Sequence, residues 1–388
     1  MFLSGRNGLL ARGVLVLCLV PVARPAYGQE PSFAELSRRA AAVLDSRPAE
    51  AAGLYKQALA IRPDWAEGWL YLGAALYRLD RYAEATHAFR KGIALSPRQG
   101  PAWAFLGLCE AELDNPEQAL ADIRKGEDLG LGGNWQFEVA VRVKAAQILT
   151  QSADFGEALA QLRPLALHNE NSRAVVETMG LCALGIPTAI SELSQQRRAV
   201  VYMAGKAAWT LANQHPAEAA AAYRQLLEEH PNEPGVHHAY GLYLMETDMR
   251  AALAQFQEEV RNNPRHWPSL IVIASLEIRQ GEAESAIQSL QQAMKFAPRK
   301  QRWICRAELG RAKMTADNLD AAIAEFETAV RWMPTNAQLR FLLSQAYRRA
   351  GRKEDAEREN AEFQRLKVRE DPLGVPIFRP LAPPVGRN

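Results

Sequence analysis

The stretch that decides the fold is WLYLGAALYRLDRYAEATHAFRKGIALSP, residues 69–97. A tryptophan, a leucine and a glycine of this stretch return 34 residues later: Trp69, Leu72 and Gly73 recur as Trp103, Leu106 and Gly107. Prolines follow the same period and stand at Pro63, Pro97, Pro231, Pro264, Pro298 and Pro334. A fixed period of this size is the signature of a repeat array, so we predict stacked copies of one small unit.

The order of residues within one period is a tryptophan, a leucine-glycine pair, an alanine, an aromatic residue and a proline. In the quoted stretch Ala85, Phe89 and Pro97 supply the last three. This order resembles the tetratricopeptide repeat (TPR) family over about residues 33–368. The resemblance implies an all-α fold, a right-handed superhelical solenoid of antiparallel helix pairs with about nine to ten repeats. The glycine and the alanine would let paired helices approach closely, and the proline would end the second helix.

The repeat is least regular around residues 173–198, where a Gly185-Ile186-Pro187 break interrupts the second helix. We predict five segments: a signal peptide at 1–28, an N-terminal array at 29–172, a degenerate helical pair at 173–198, a C-terminal array at 199–370 and a proline-rich tail at 371–388. The tail prolines exclude helix. Ile377 and Phe378 favour a tail that packs on the last helices or in the groove over a disordered terminus.

The first 28 residues have the composition of a secretory signal peptide. Arg6 and Arg12 precede an apolar run at Gly13–Ala23, and small residues, Ala26 and Gly28, precede the expected cleavage site. The apolar run is too short for a membrane anchor, which needs about 20 residues. A lipoprotein signal at Cys18 is disfavoured, because a large residue precedes that cysteine. We expect an exported chain, periplasmic or secreted, with no transmembrane segment after cleavage.

The composition excludes several classes of protein. The chain is 48% hydrophobic and 23% charged, with a net charge of +2, and this argues against both a disordered chain and a nucleic-acid-binding protein. Cys109, Cys182 and Cys305 are widely spaced and form no C-x-x-C pair, so we predict that each packs as a small apolar residue.

No pattern predicts catalysis. The sequence has no phosphate-binding loop, no H-E-x-x-H and no G-x-S-x-G motif, so we expect no enzyme activity, no catalytic residue and no cofactor. The one notable histidine pair is His237-His238. Neighbouring helical residues point about 100° apart, so this pair predicts no metal site by itself.

The TPR resemblance implies that first helices line a concave groove that holds peptides. The residues predicted to line it are Tyr71, Ala74, Tyr77, Arg78, Phe105, Leu108, Glu112, His238, Leu242, Met245, Ile271, Ile278 and Arg279. The Lys and Asn of a carboxylate clamp are replaced by Leu70 and Ala74. The groove is therefore apolar with aromatic anchors, although the same residues would also suit packing between helices.

Two functions follow from this groove. The first is an exported scaffold that binds a protein or peptide partner, and the second is an accessory subunit of an envelope polysaccharide or protein secretion machine. A polymer-binding groove needs exposed aromatic and acidic residues along its length, whereas a peptide-binding groove needs one or two apolar pockets. The predicted aromatic anchors concentrate at Tyr71, Tyr77 and Phe105, which favours the first function.

Cleavage of the signal peptide gives a direct test of export. We predict that the mature chain begins at Gln29, because Ala26 and Gly28 occupy the positions that signal peptidase reads. N-terminal sequencing of the chain recovered from the cell envelope checks this. An intact Met1 or a lipid on Cys18 would contradict the prediction.

Overall fold

The computed structural model describes residues 31–370, with side chains through Lys367. All regular secondary structure within these residues is helical. The chain divides into two compact units between Ile148 and Leu149. The predicted signal peptide and the predicted tail lie outside the described residues.

The N-terminal unit is built from short helices joined by tight turns. The helices are α1 Phe33–Val43, α2 Pro48–Ile61, α3 Ala66–Arg78, α4 Tyr82–Leu95, α5 Gly100–Glu112, α6 Pro116–Leu129 and α7 Trp135–Gln151, the last of which continues past the division. Each of α1, α3 and α5 packs against the helix that follows it, and turns this short make the two helices antiparallel.

The C-terminal unit continues the same pattern with one interruption. Its helices are α8 Phe155–Leu167, α9 Arg173–Ala183, α10 Gln195–Ala212, α11 Pro216–Glu229, α12 Val236–Leu244, α13 Met249–Asn262, α14 Trp267–Gln280, α15 Ala283–Phe296, α16 Arg302–Thr315, α17 Leu319–Trp332, α18 Ala337–Arg349 and α19 Lys353–Glu370. Short 3-10 turns stand at Ile190–Glu192 and Arg299–Gln301. Consecutive packed pairs confirm the predicted all-α fold class.

A left-handed residue closes the turn inside many of the pairs. These residues recur at one position of the repeat and are Asp80, Asp114, Gln214, Gly281, Asp317 and Gly351. A positive φ reverses the chain sharply, so that the second helix starts close to the end of the first. The sequence prediction did not include this position, because several residue types occupy it.

The glycine in the middle of the first helix makes room for the aromatic ring of the second helix. A Cβ atom at Gly73 would lie 2.8 Å from the ring of Phe89, and one at Gly310 would lie 2.6 Å from the ring of Phe326. Both rings are fully buried. In the third pair, the backbone itself approaches: a Cβ at Gly107 would lie 2.7 Å from the carbonyl oxygen of Ala119. The glycine therefore sets the distance between paired helices.

The prolines that end the second helices also accept hydrogen bonds. The indole nitrogen of Trp69 donates to the carbonyl of Pro63 at 2.8 Å, and that of Trp103 donates to Pro97 at 2.9 Å. Arg340 occupies the same position of a later repeat and donates through Nη2 to the carbonyl of Pro334 at 3.1 Å. These bonds tie the start of each first helix to the end of the preceding pair.

The irregular stretch at 173–198 contains α9, one 3-10 turn and the first residues of α10. The helix α9 crosses α10 at two facing glycines: a Cβ at Gly180 would lie 1.9 Å from the carbonyl oxygen of Val201, and one at Gly205 would lie 1.9 Å from that of Val176. The helix is buried on nearly all sides. The segment boundaries predicted from the sequence differ from the division between the two compact units and stay a prediction.

Two glycine-to-alanine substitutions separate close packing from helix propensity. We predict that Gly107→Ala lowers the free energy of unfolding by about 1–3 kcal/mol, because the new methyl group meets backbone atoms that cannot move aside. Gly53→Ala should raise it by up to about 1 kcal/mol, since Gly53 is exposed inside α2 with nothing within 4 Å of a Cβ. Urea unfolding of both variants checks this, and changes of the same sign would contradict the close approach at Gly107.

Candidate partner-binding face

The first helices of successive pairs contact one another directly. Helix α3 contacts α5, and within the C-terminal unit α14 contacts α16 and α16 contacts α18. They therefore form a layer in each unit. We call the residues predicted on α3 and α5 the inner face of the N-terminal unit: Tyr71, Ala74, Tyr77, Arg78, Phe105, Leu108 and Glu112.

Aromatic rings dominate this inner face. Tyr71, Ala74, Tyr77 and Phe105 are all half-buried. The ring of Tyr71 stacks on that of Tyr55, with centroids 5.7 Å apart, and the edge of Tyr77 meets Phe105 at 5.7 Å. Burial raises the pKa of Tyr71 above its ordinary value, and the nearby Glu67 carboxylate adds to the rise. Both tyrosines thus present a partly exposed ring held in place by a neighbouring ring.

Phe105 is more a packing residue than an anchor. It stacks on Phe89 with centroids 5.4 Å apart and on Phe137 with centroids 4.4 Å apart. Leu108 is buried with Ile123, and it lies in the same cluster as Phe137. Leu108 is therefore an interior residue rather than a groove-lining one, because α5 turns it toward the next pair.

Arg78 holds the preceding turn rather than a partner. Its guanidinium donates to the carbonyl of Leu44 at 2.9 Å and lies 2.6 Å from the carboxylate of Asp45. Arg349 stands at the same repeat position and makes the equivalent bonds, to the carbonyl of Met314 at 3.1 Å and to Asp317 at 2.8 Å. This arginine clamp corrects the prediction for Arg78, whose donors are directed into the fold.

Glu112 is also engaged within its unit. Its carboxylate lies 2.7 Å from the ammonium of Lys144 on α7. The inner face of the N-terminal unit therefore combines exposed tyrosine rings with charges that already have partners. An apolar or aromatic ligand group fits such a surface better than an ionic one.

The predicted groove of the C-terminal unit is largely filled by the chain itself. His238, Ile271 and Ile278 are buried, which corrects their prediction as groove-lining residues. For the two isoleucines the physical reason is a contact distant in sequence: Ala153 and Phe155 pack in the cluster that contains them, and Gln301 donates to the carbonyl of Ser152 at 2.9 Å. His238 is buried separately, with its ring against Phe256.

The remaining predicted residues of this unit are half-buried. Leu242 and Met245 pack against a cluster that contains Phe256 and Val272. Arg279 has one guanidinium nitrogen, Nη1, that is buried without a hydrogen-bond partner within residues 31–367. Leu242 lies on α12, Met245 follows its last residue, and Arg279 lies on the last turn of α14.

The histidines and cysteines have separate environments. His237 bonds to Gln255 at 2.7 Å, whereas His238 bonds to Ser269 at 2.9 Å, so the two imidazoles do not converge. The part of the chain described contains no cluster of three or more His, Cys, Asp or Glu side chains placed to hold a metal. Cys109, Cys182 and Cys305 are buried, and burial raises the pKa of each thiol to about 12.

Sequence reasoning missed a surface cavity between α2, α3 and α4. It has a volume of about 570 Å³ and is lined by residues of α2, α3 and α4 that include Lys56, Trp69 and His87. Its lining residues come from three helices, so no local motif marks it.

Across residues 31–370, no helix is long and apolar enough to cross a membrane.

Comparisons with known proteins support the repeat. Two tetratricopeptide repeat family models match the chain, one at residues 66–99 and one at residues 313–362. The tetratricopeptide repeat is therefore shown for these two segments. The first match contains the pair of Gly73 with Phe89, and the second contains Arg349 with both of its clamp partners.

Solved structures share the helical pattern at low identity. MamA from Desulfovibrio magneticus RS-1 is 17% identical, with 46% of this chain and 98% of MamA covered and a TM-score of 0.40. The Pseudomonas aeruginosa protein pilF is 16% identical, with 44% of this chain and 78% of pilF covered and a TM-score of 0.41. Likenesses of this strength say nothing about function. A comparison with curated proteins finds no match.

The arginine clamp can be tested by removing its charge. We predict that Arg78→Met lowers the free energy of unfolding by about 1–2 kcal/mol, because the Leu44 carbonyl and the Asp45 carboxylate lose a charged donor. Arg38→Met is the matched control: Arg38 is exposed on α1, and its loss should cost less than about 0.5 kcal/mol. Equal unfolding midpoints in urea for the two variants would show that the clamp has no structural role.

Proposed function

We propose that this TPR chain is a non-enzymatic, exported scaffold that binds a protein or peptide partner on the inner face of its N-terminal unit. The observation that supports the proposal most directly is the pair of half-buried rings of Tyr71 and Tyr77 on α3. Aromatic residues of this kind supply much of the energy of protein interfaces. TPR scaffolds generally act by binding, and the proposed export rests on the signal-peptide pattern alone.

The chemistry of the face indicates what kind of partner it would take. Arg78 is turned into its clamp and Glu112 is paired with Lys144, so neither offers a free charge to a ligand. The tyrosines and Ala74 leave a shallow apolar surface with phenolic hydroxyls. We expect a partner segment with one or two apolar or aromatic side chains, rather than a charged terminus.

The two tyrosines provide the test of partner binding. We predict that Tyr71→Ala and Tyr77→Ala each cost about 2 kcal/mol of binding energy, or about 30-fold in Kd, because each removes a ring at the centre of the face. Proteins captured from the envelope fraction by the tagged wild-type chain would be identified, and the purified partner would be titrated against each variant by calorimetry.

The control is Trp332→Ala, which removes an exposed ring from a second helix, α17. This variant should bind like the wild type, and all three should keep their helical circular dichroism. A partner lost equally from all three variants, or kept by both tyrosine variants, would refute the proposed site. Recovery of a polysaccharide synthesis or secretion complex would identify the alternative role as an accessory subunit.

A further inference from the structure

Three consecutive connections between helix pairs of the C-terminal unit share one composition. Each joins a second helix to the next first helix and contains one of the repeat prolines. Their sequences are RNNPR at 261–265, KFAPRK at 295–300 and RWMPTN at 331–336. None of the three contains an aspartate or a glutamate. A cation stands three residues before each proline, at Arg261, Lys295 and Arg331, so the positive charges recur at the period of the array.

Two exposed aromatic rings stand beside these cations. Phe296 is 38% exposed and Trp332 is 47% exposed, and each lies two residues before the proline of its connection. All other aromatic side chains between residues 31 and 367 are buried or half-buried. The guanidinium of Arg265 lies over the ring of Phe296, 6.0 Å from its centroid. Rings left in water at one position of consecutive repeats indicate a contact with another molecule.

The cations of the connections are exposed, and most of them lack a carboxylate partner. Lys295, Arg299 and Arg331 form no ion pair with any side chain of residues 31–367. Arg331 donates instead to the hydroxyl of Thr328 at 2.9 Å. Only Arg261 is paired, with Glu258 of its own helix. Three positive charges are therefore available to an anionic ligand.

The three connections lie on one edge of the C-terminal unit. Helices α12 and α13, α14 and α15, and α16 and α17 pack as pairs, and neighbouring pairs contact one another. In a row of antiparallel pairs, the ends of the second helices and the starts of the first helices share one edge. The turns inside the pairs share the opposite edge. We call the edge formed by residues 261–265, 295–300 and 331–336 the basic edge.

The turns on the opposite edge are acidic. Their sequences are METD at 245–248, GE at 281–282 and ADN at 316–318, and none contains a lysine or an arginine. The second helices between the two edges are each 14 residues long, which separates the edges by about 21 Å. The Debye length at physiological ionic strength is about 8 Å, so the acids do little to weaken the attraction of the basic edge for an anion.

We propose that the basic edge docks on the surface of an anionic phospholipid membrane. The rings of Phe296 and Trp332 enter the headgroup region, and the cations beside them lie next to lipid phosphates. Aromatic rings flanked by lysine and arginine suit the boundary between headgroups and acyl chains. The acidic turns then point away from the membrane. This inference goes beyond the proposed partner site, which lies on the other unit and is not needed for it.

An acidic polymer is the rival ligand for a row of cations. Proteins hold such a chain through charges and stacked rings along its length. The basic edge instead has rings in two neighbouring connections, and the connection at 261–265 has none. The net charge of the whole chain is only +2. A short cluster of rings and cations on a near-neutral chain suits a membrane surface better than a long polyanion.

Removal of the unpaired cations tests the electrostatic part of the proposal. The full chain would be sedimented with vesicles of phosphatidylcholine alone, or of phosphatidylcholine and phosphatidylglycerol in equal parts. We expect binding to the anionic vesicles only, weakened by added salt. The triple variant Lys295→Gln, Arg299→Gln, Arg331→Gln should lower the partition coefficient about 100-fold, since each cation near an anionic surface contributes about five-fold.

The matched control removes the same charge from the other unit. Arg38, Lys91 and Arg98 are also exposed, and their joint replacement by glutamine should leave vesicle binding unchanged. Both triple variants should keep the helical circular dichroism of the wild type, because all six side chains are exposed. Equal binding to neutral and anionic vesicles, or an equal loss in the two triple variants, would overturn the proposal.

The rings are tested separately from the charges. Phe296→Ala and Trp332→Ala should each weaken binding to the anionic vesicles about ten-fold, because each removes apolar surface that leaves water on docking. Ile61→Ala is the control: Ile61 is 56% exposed and also lies two residues before a repeat proline, but on the N-terminal unit. Its replacement should leave binding unchanged. Ring variants that bind vesicles like the wild type would overturn the proposal, and tight binding of soluble polyglutamate by those variants would identify an acidic polymer as the ligand.

Fluorescence quenching shows whether a ring enters the membrane. Bromine atoms on the acyl chains of phosphatidylglycerol quench a tryptophan that reaches them, and Trp332 is the one tryptophan of residues 31–367 that is exposed. We expect brominated vesicles to quench the wild-type chain. Trp332→Phe keeps an aromatic ring, so it should still bind but lose this quenching. Quenching that is the same in both chains, or absent from a wild-type chain that is bound, would overturn the proposed insertion.

Discussion

The approach of a glycine to an aromatic ring is the constraint on which the repeats depend. In the pairs of Gly73 with Phe89, and of Gly310 with Phe326, the ring occupies the space that a Cβ atom would take. A single hairpin of this size buries too little surface to be stable alone. The aromatic ring increases the buried surface, because it packs against the glycine of its own pair and also contacts the next pair. Phe89 does this by stacking on Phe105. The aromatic ring thus sets both the spacing of the paired helices and the stacking of neighbouring pairs.

The polar residues of the repeats mostly serve the connections between pairs. Trp69 bonds to the proline carbonyl before it, and the Arg78 clamp holds the turn before that. In the last repeats a buried glutamate adds to this scheme: Glu325 binds Arg306 and Lys313, each within 2.7 Å. Burial opposes ionisation of Glu325, but the hydrogen bonds from its two cationic partners outweigh it and hold its pKa below the ordinary value. On the inner face of the N-terminal unit, what stays exposed is chiefly ring surface.

Periodicity predicted the helix pairs, because each pair depends on residues less than about 30 positions apart, such as Gly73 and Phe89. It also placed Tyr71 and Tyr77 on one helix, α3, where both rings are half-buried, whereas their role as groove anchors stays a prediction. It failed for Ile271 and Ile278, which are buried in one cluster with Ala153, a residue from far earlier in the chain. No repeat position encodes such a contact. Arg78 was misread for a related reason: its register position is right, but a side chain this long can turn toward the preceding pair.

The two units share the same kinds of tie, because they are built from the same repeat. The arginine clamp of Arg78 recurs in the C-terminal unit at Arg349, and the packing of Gly73 against Phe89 recurs at Gly310 and Phe326. The departure from the repeat lies at the end of α9, where the chain passes through a 3-10 turn before α10 begins. There the imidazole of His266 bonds to the carbonyl of Leu184, so a side chain distant in sequence ties down a connection that a tight turn closes elsewhere.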